Sequence, residues 1–196
     1  MTTNYPLYFM GISKRISIVG ILLFSVSLLG NLRADEIGLE IGEKAPAFNL
    51  MNQRGEATSL SGLTAEHGKV ALAFFRSADW CPFCQRQLID LQANIETLEG
   101  AGVKLVGISY DSMEVLERFS KKQSIDYTLL SDPGSKTIDA YKVRNEGARP
   151  GRSEGIPHPT VFLVNRDGVI TAKLREENMK IRPTIEAIVS AANAMD

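Results

Sequence analysis

Cys81 and Cys84 are the only cysteines in the 196-residue chain, and Pro82 and Phe83 stand between them. Two thiols at this spacing at the start of a helix lie close enough to form a disulfide within one turn. The unsatisfied N–H groups and the helix dipole at that position stabilise a thiolate on the first cysteine, which lowers its pKa and makes it the attacking group. The second, one turn on and less exposed, can then attack a mixed disulfide and release the partner. The pair reads as a reversible two-electron switch. Other uses compete with this one. A structural disulfide would close too small a loop to gain much chain entropy. Zinc would need His67 and His158, from distant segments and without the paired spacing of zinc fingers. Copper-delivering domains space their cysteines one residue further apart and add a downstream histidine. No metal and no cofactor is expected.

The elements that must position this pair follow from periodicity. Residues 69–76 form a nearly continuous apolar run, as in a strand buried on both faces. Residues 82–100 then place Leu88, Leu91, Ile95 and Leu98 at helical spacing, with Pro82 in the first turn and Gly100 at the far end. The alternation repeats with a strand over 103–110 and a helix over 112–123 that Asp111 or Ser112 caps. A short strand over 127–131 and a short helix over 134–141 come next. Residues 160–165 and 169–174 flank Arg166-Asp167-Gly168, whose Asp-Gly step supplies the positive φ of a hairpin turn. Residues 183–195 close the chain as a helix. Before all of these, residues 40–50 are extended, since Pro46 opposes a helix, and a polar turn follows at 52–55. The prediction is an α/β domain with a mixed central sheet, helices on both faces, and a closing hairpin and helix.

Composition narrows the classes. The 22 Lys and Arg nearly balance 23 Asp and Glu, which excludes a nucleic-acid binder working through bulk charge. An apolar share of 44% excludes long disorder. Residues 1–34 carry Lys14, Arg15 and Arg33, no acid, and an apolar run over 16–30. At about 1.5 Å per residue this run falls short of a bilayer's roughly 30 Å core. It is read as a signal peptide, or an uncleaved anchor and the chain's sole membrane contact, with residues 35–196 as the redox domain. Cleavage after Ala34 leaves a small residue at the cut, although Leu32 departs from the small residue expected two positions earlier. Export, periplasmic or extracellular, is the expectation, in a compartment where disulfides persist. One long irregular segment, 143–158, carries Arg144, Arg149 and Arg152 and is a candidate lid or docking surface, or a solvated connection.

The stretch from Phe74 through Trp80-Cys81-Pro82-Phe83-Cys84 to Gln92 resembles the thioredoxin-fold superfamily. It is most similar to the alkyl hydroperoxide reductase/thiol-specific antioxidant branch, the peroxiredoxin-like proteins. Ile41-Gly-Glu-Lys-Ala-Pro-Ala-Phe-Asn-Leu50, Ser131-Asp-Pro-Gly134 and the run from Pro159 to Gly168 match the same branch in order. The resemblance implies a thioredoxin-like fold, with Cys81 as exposed nucleophile and Cys84 as resolving partner. It places Pro159 as a cis-proline facing the disulfide, His158 against the sulfurs with a charge that favours the thiolate, and Thr160 at the start of the following strand. Trp80 would pack beside the sulfurs on the partner-binding surface, and Phe83 would lie inside the loop of the switch.

Departures from the branch bear on the activity. Peroxiredoxins hold the attacking cysteine in a Pro-x-x-x-Thr-x-x-Cys pocket with a late-strand arginine. With Cys84 as attacker, the Thr position holds Cys81 and the Pro position Ser77, and the Pro159-Thr160 pair occupies the nearest late-strand candidate. Arg76, Arg149 or Arg152 would have to supply the missing donors. No acid in 70–75 matches the buried carboxylate of thioredoxins, which leaves Asp79, His158 or water to move protons. The main reading is a thiol-disulfide oxidoreductase exchanging with a protein dithiol or disulfide. The alternative is a peroxiredoxin-type thiol peroxidase that reduces hydrogen peroxide or alkyl hydroperoxides with an external thiol donor. A third is a non-catalytic binding module with a structural disulfide.

Overall fold

Among the residues that the computed structural model describes, 1–3 and 36–195, the chain forms seven strands and six helices. In order these are β1 (Asn49–Asn52), β2 (Ala57–Ser59), α1 (Leu60–His67), β3 (Lys69–Phe74), α2 (Pro82–Ala93), α3 (Ile95–Gly100) and β4 (Val103–Ser109). There follow α4 (Met113–Gln123), β5 (Thr128–Ser131), α5 (Lys136–Ala140), β6 (Thr160–Val164), β7 (Ile170–Leu174) and α6 (Ile185–Asn193). One compact unit spans residues 35–196. Beyond residues 1–3, the leader expected over 1–34 lies outside the described residues.

The strands form one mixed sheet in the order β2-β1-β5-β4-β3-β6-β7. β3 pairs in parallel with β4, and β4 with β5, while β6 runs antiparallel to β3 and pairs with β7. Successive side chains of β3 face opposite ways. Ala71 and Ala73 join the core under α2, α3, α4 and α6, and Val70, Leu72 and Phe74 join the core under α1 and α5. β3 is therefore buried on both faces, which is why its sequence is continuously apolar. At Gly107 in β4 an added Cβ would lie 2.7 Å from Leu129 Cδ2 and 3.1 Å from Phe75, so this position must stay bare for the face to close.

The second core centres on three aromatic rings. Phe74 and Tyr141 lie 5.0 Å apart, Phe74 and Phe162 5.9 Å, and Tyr141 and Phe162 5.6 Å between centroids. All three are fully buried, and the Tyr141 hydroxyl donates to the Pro46 carbonyl at 3.0 Å. Phe162→Ala should destabilise the domain by about 3–5 kcal/mol, read from denaturant unfolding at constant slope. A loss below about 1 kcal/mol would mean that neighbouring side chains collapse into the space.

Local departures have local causes. The single helix expected over 82–100 is broken at Asn94, whose side-chain amide and backbone N–H both donate to the Asp90 carbonyl. Such side-chain competition ends α2 and restarts the chain as α3. The helix α1 had no counterpart in the sequence reading, because Gly62 and Thr64 weaken its helical signal. It is held by Ser59, whose hydroxyl accepts from Gly62 N–H at 3.1 Å. The hairpin forms as expected, with Gly168 at φ 72° and Asn165 Oδ1 accepting from Val169 N–H.

Candidate functional site

Strand β3 ends at Phe74, and residues 75–81 lead from its C-terminal end into α2. Cys81 is the N-cap of α2 and Pro82 opens its first turn. The Cys84 N–H donates to Cys81 Sγ at 3.2 Å, so the first cysteine takes up one of the free donors of the helix start. Cys81 and Cys84 form a disulfide with their Cα atoms 5.2 Å apart. Both are fully buried, which corrects the expectation of an exposed Cys81. Trp80 and Phe83 pack against the cluster that contains both sulfurs, and two guanidinium groups touch those sulfurs.

Arg76, two residues past the end of β3, donates from Nη2 to Cys81 Sγ at 3.4 Å. Its guanidinium carbon lies 5.8 Å from the Trp80 ring centroid, and its Nε is buried without a hydrogen-bond partner. Burial lowers the Arg76 pKa from the usual arginine value. Arg182, from the segment between β7 and α6, donates from Nη2 to Cys84 Sγ at 3.5 Å. Its Nε donates to Gln87 Oε1 at 2.8 Å, and its Nη1 to the carbonyls of Ile181 and Met179. Burial, and then the charge of Arg76, push its pKa down to about 10.

The loop before Cys81 hangs on Asp111, at the C-terminal end of β4. Of the two expected caps of α4, Asp111 or Ser112, Ser112 takes the place, and the Asp111 carboxylate turns inward. It accepts from Ser77 Oγ at 2.9 Å, Ala78 N–H at 2.7 Å and Ser109 Oγ at 3.1 Å. Burial raises its pKa above the usual carboxylate value despite these donors. Trp80 Nε1 donates to the Tyr110 hydroxyl at 2.9 Å, which donates to the Arg152 carbonyl at 2.5 Å. Arg152 Nη2 reaches Asp79 at 2.8 Å and its guanidinium lies 5.7 Å from the Trp80 ring. The long segment 143–158 is thus tied down beside the Cys81 loop through Arg152, and is not a free connection.

Thr160 opens β6 as expected, while Pro159 and His158 depart from expectation in conformation and charge. Thr160 pairs with Phe74, which brings the three to the end of β3. Among the described residues there is no cis peptide bond, so Pro159 is trans. The His158 N–H donates to the Val143 carbonyl at 2.7 Å, its carbonyl accepts from Thr160 Oγ1 at 3.1 Å, and Arg144 bridges to Pro157. The chain's own loop therefore takes the backbone groups that a partner strand would use. No hydrogen bond joins His158 to either sulfur, and burial, followed by the Arg175 charge, lowers its pKa. The imidazole is neutral at neutral pH, so the sulfurs receive their positive charge from Arg76 and Arg182.

This burial has a pH signature. Unfolded His158 takes a proton near about pH 6.5, and folded His158 only at lower pH. As pH falls below about 6.5 the unfolded state binds protons first and stability drops. Denaturant midpoints at about pH 7 and about pH 5 should show the drop, and His158→Gln should reduce it. An equal drop in both proteins would assign it to other groups.

Arg182, Asp111 and Tyr110 had no place in the site read from the sequence. For Asp111 a signal existed, since polar side chains at the carboxyl end of a central parallel strand mark the ligand side of such sheets. For Arg182 the signal was the buried polar Gln87 on the inward face of α2, which needs a partner.

The model of the AhpC/TSA family matches residues 41–173. Peroxiredoxin Bcp of Escherichia coli (strain K12) is 34% identical over 132 residues, 67% of this chain and 83% of that protein. Peroxiredoxin Q, chloroplastic, of Sedum lineare is 34% identical over 131 residues, 66% of this chain and 65% of that protein. The crystal structure of peroxidoxin BcpB from Mycobacterium tuberculosis superposes with a TM-score of 0.69 at 22% identity, covering 82% of this chain and 99% of that one. The last likeness establishes the thioredoxin-like fold.

Proposed function

The chain belongs to the AhpC/TSA family and is an oxidoreductase, and on that premise we propose that it is a peroxiredoxin-type thiol peroxidase with Cys81 as its peroxide-attacking residue. The Cys81 thiolate attacks one peroxide oxygen. A sulfur–oxygen bond forms, the oxygen–oxygen bond breaks, and the departing oxygen takes a proton to leave as water or an alcohol. Cys84 then attacks Cys81 Sγ, the disulfide forms, and the hydroxyl of the sulfenic acid leaves as water. An external thiol donor returns two electrons and two protons.

The observation that carries this reading is the Arg76 guanidinium against Cys81 Sγ. It supplies a fixed donor beside the reacting sulfur where the sequence lacks the family's Thr and Pro positions. Exchange with a protein partner, the main reading from sequence, is less well supported. The backbone at His158 is already paired with Val143, and both sulfurs are covered, so a peroxide fits the closed site better than a polypeptide does. The basic, apolar leader supports export, with a thiol donor outside the cytoplasm.

Trp80 is the sole tryptophan and lies next to Cys81, so its fluorescence reports the thiol state. Rapid mixing of the reduced protein with a small excess of hydrogen peroxide should change that signal far faster than free cysteine is oxidised, with loss of both thiols. A rate equal to that of free cysteine, with fast oxidation by a protein disulfide, would overturn the peroxidase reading in favour of disulfide exchange.

A further inference from the structure

We propose that Arg182 is a second arginine of the reaction, which holds Cys84 as a thiolate whenever the disulfide is open. Cys84 thereby becomes the leaving group of reduction and the nucleophile of resolution. Only the role of Cys84 as resolving residue is taken from the reading above.

Each sulfur has its own guanidinium, Arg76 on Cys81 at 3.4 Å and Arg182 on Cys84 at 3.5 Å. The remaining partners of Arg182 are an amide oxygen, from Gln87, and the carbonyls of Met179 and Ile181. These neutral acceptors fix the fork in direction without cancelling its charge. Among the described residues no carboxylate lies within ion-pair distance of Arg76 or Arg182; burial disfavours both cations, and the charge of Arg76 further disfavours Arg182. Two poorly solvated positive charges against a neutral disulfide are costly, and a negative sulfur beside either relieves the cost. Arg182 also lies beyond residues 41–173, the part of the chain that matches the family. It is contributed by the segment that leads into α6.

The electron flow is explicit. A donor thiolate attacks Cys81 Sγ, a donor–Cys81 disulfide forms, and the Cys81–Cys84 bond breaks with its electron pair left on Cys84 beside Arg182. A second donor thiolate attacks the donor sulfur, releasing the oxidised donor and the Cys81 thiolate beside Arg76. A lower thiol pKa makes a better leaving group, and a charge-assisted N–H to sulfur contact lowers it.

The test reads Cys84 directly. In a Cys81→Ser background, thiolate ultraviolet absorbance against pH gives the Cys84 titration midpoint. Arg182→Gln should raise this midpoint by about one unit, which is about a tenfold loss of thiolate below it. Arg182→Lys, which keeps the charge, should recover at least half of the shift. In the two-cysteine protein, Arg182→Gln should slow reduction of the disulfide by dithiothreitol by about tenfold. Gln87→Met removes the Nε anchor and should shift the midpoint in the same direction by less, which keeps the test intact if Arg182→Gln does not fold. An unchanged midpoint in a folded Arg182→Gln or Gln87→Met protein overturns the proposal. The outcomes separate from those of the peroxidase reading: an Arg182-dependent midpoint in a protein inert to peroxide removes the peroxidase and leaves this role standing.

Discussion

Cys81→Ser should lower peroxide consumption by about 10³-fold or more, to the level set by the donor thiol alone, because removing a nucleophile removes the covalent step itself. Cys84→Ser should instead keep the first step and lose turnover. Peroxide then oxidises Cys81 in one burst to a sulfenic acid that a dimedone adduct identifies by mass. The asymmetry follows from position. Cys81 caps α2, receives the Cys84 N–H at 3.2 Å and faces Arg76, whereas Cys84 lies inside the first turn against Arg182. The helix start and a cation both favour the Cys81 thiolate. The reverse pattern, with Cys84→Ser inert and Cys81→Ser forming the sulfenic acid, would make Cys84 the attacker and Cys81 the occupant of the family's threonine position.

Arg76→Met should slow the peroxide step by about 10²–10³-fold, the usual cost of one preorganised donor at developing negative charge. The pH profile of that step should also move upward, since the Cys81 thiolate loses its nearest cation. Arg76→Lys should recover part of the rate, because an ammonium keeps the charge but not the planar fork that meets both the sulfur and the Trp80 face. Stopped-flow oxidation of the Cys84→Ser protein isolates this step from resolution. A rate within about threefold of the parent would show that helix start and backbone suffice, and that Arg76 serves packing alone.

These two results concern neighbouring atoms but different parts of the cycle. Arg76 bears on attack at Cys81, and the opening of the disulfide is where Arg182 enters. Half-buried cations beside both sulfurs favour reduced over oxidised protein, so each substitution that removes one should make the disulfide harder to reduce. Asp111 acts at one remove. It holds Ser77 and Ala78 in place, and so fixes the loop between β3 and Cys81.

What the sequence determined by itself lay in short stretches. The apolar run of β3, the proline and paired cysteines that open α2, and the Asp-Gly step of the hairpin are encoded within a few residues. Periodicity and turn chemistry act at that range. They sufficed for the mixed sheet with its covering helices and for the place of Cys81 and Cys84 at a helix start, but not for α1 or for the break between α2 and α3. What only the tertiary structure decided depends on segments far apart in the chain. Arg182 lies 98 residues from the sulfur it touches, and Asp111 lies 34 residues from the Ser77 it holds. The burial of both sulfurs, the trans Pro159 and the pairing of His158 with Val143 likewise arise where distant segments meet. A cation with neutral partners carries no local mark of its target. Its direction is set where the segment before α6 meets α2, through the contact of Arg182 with Gln87.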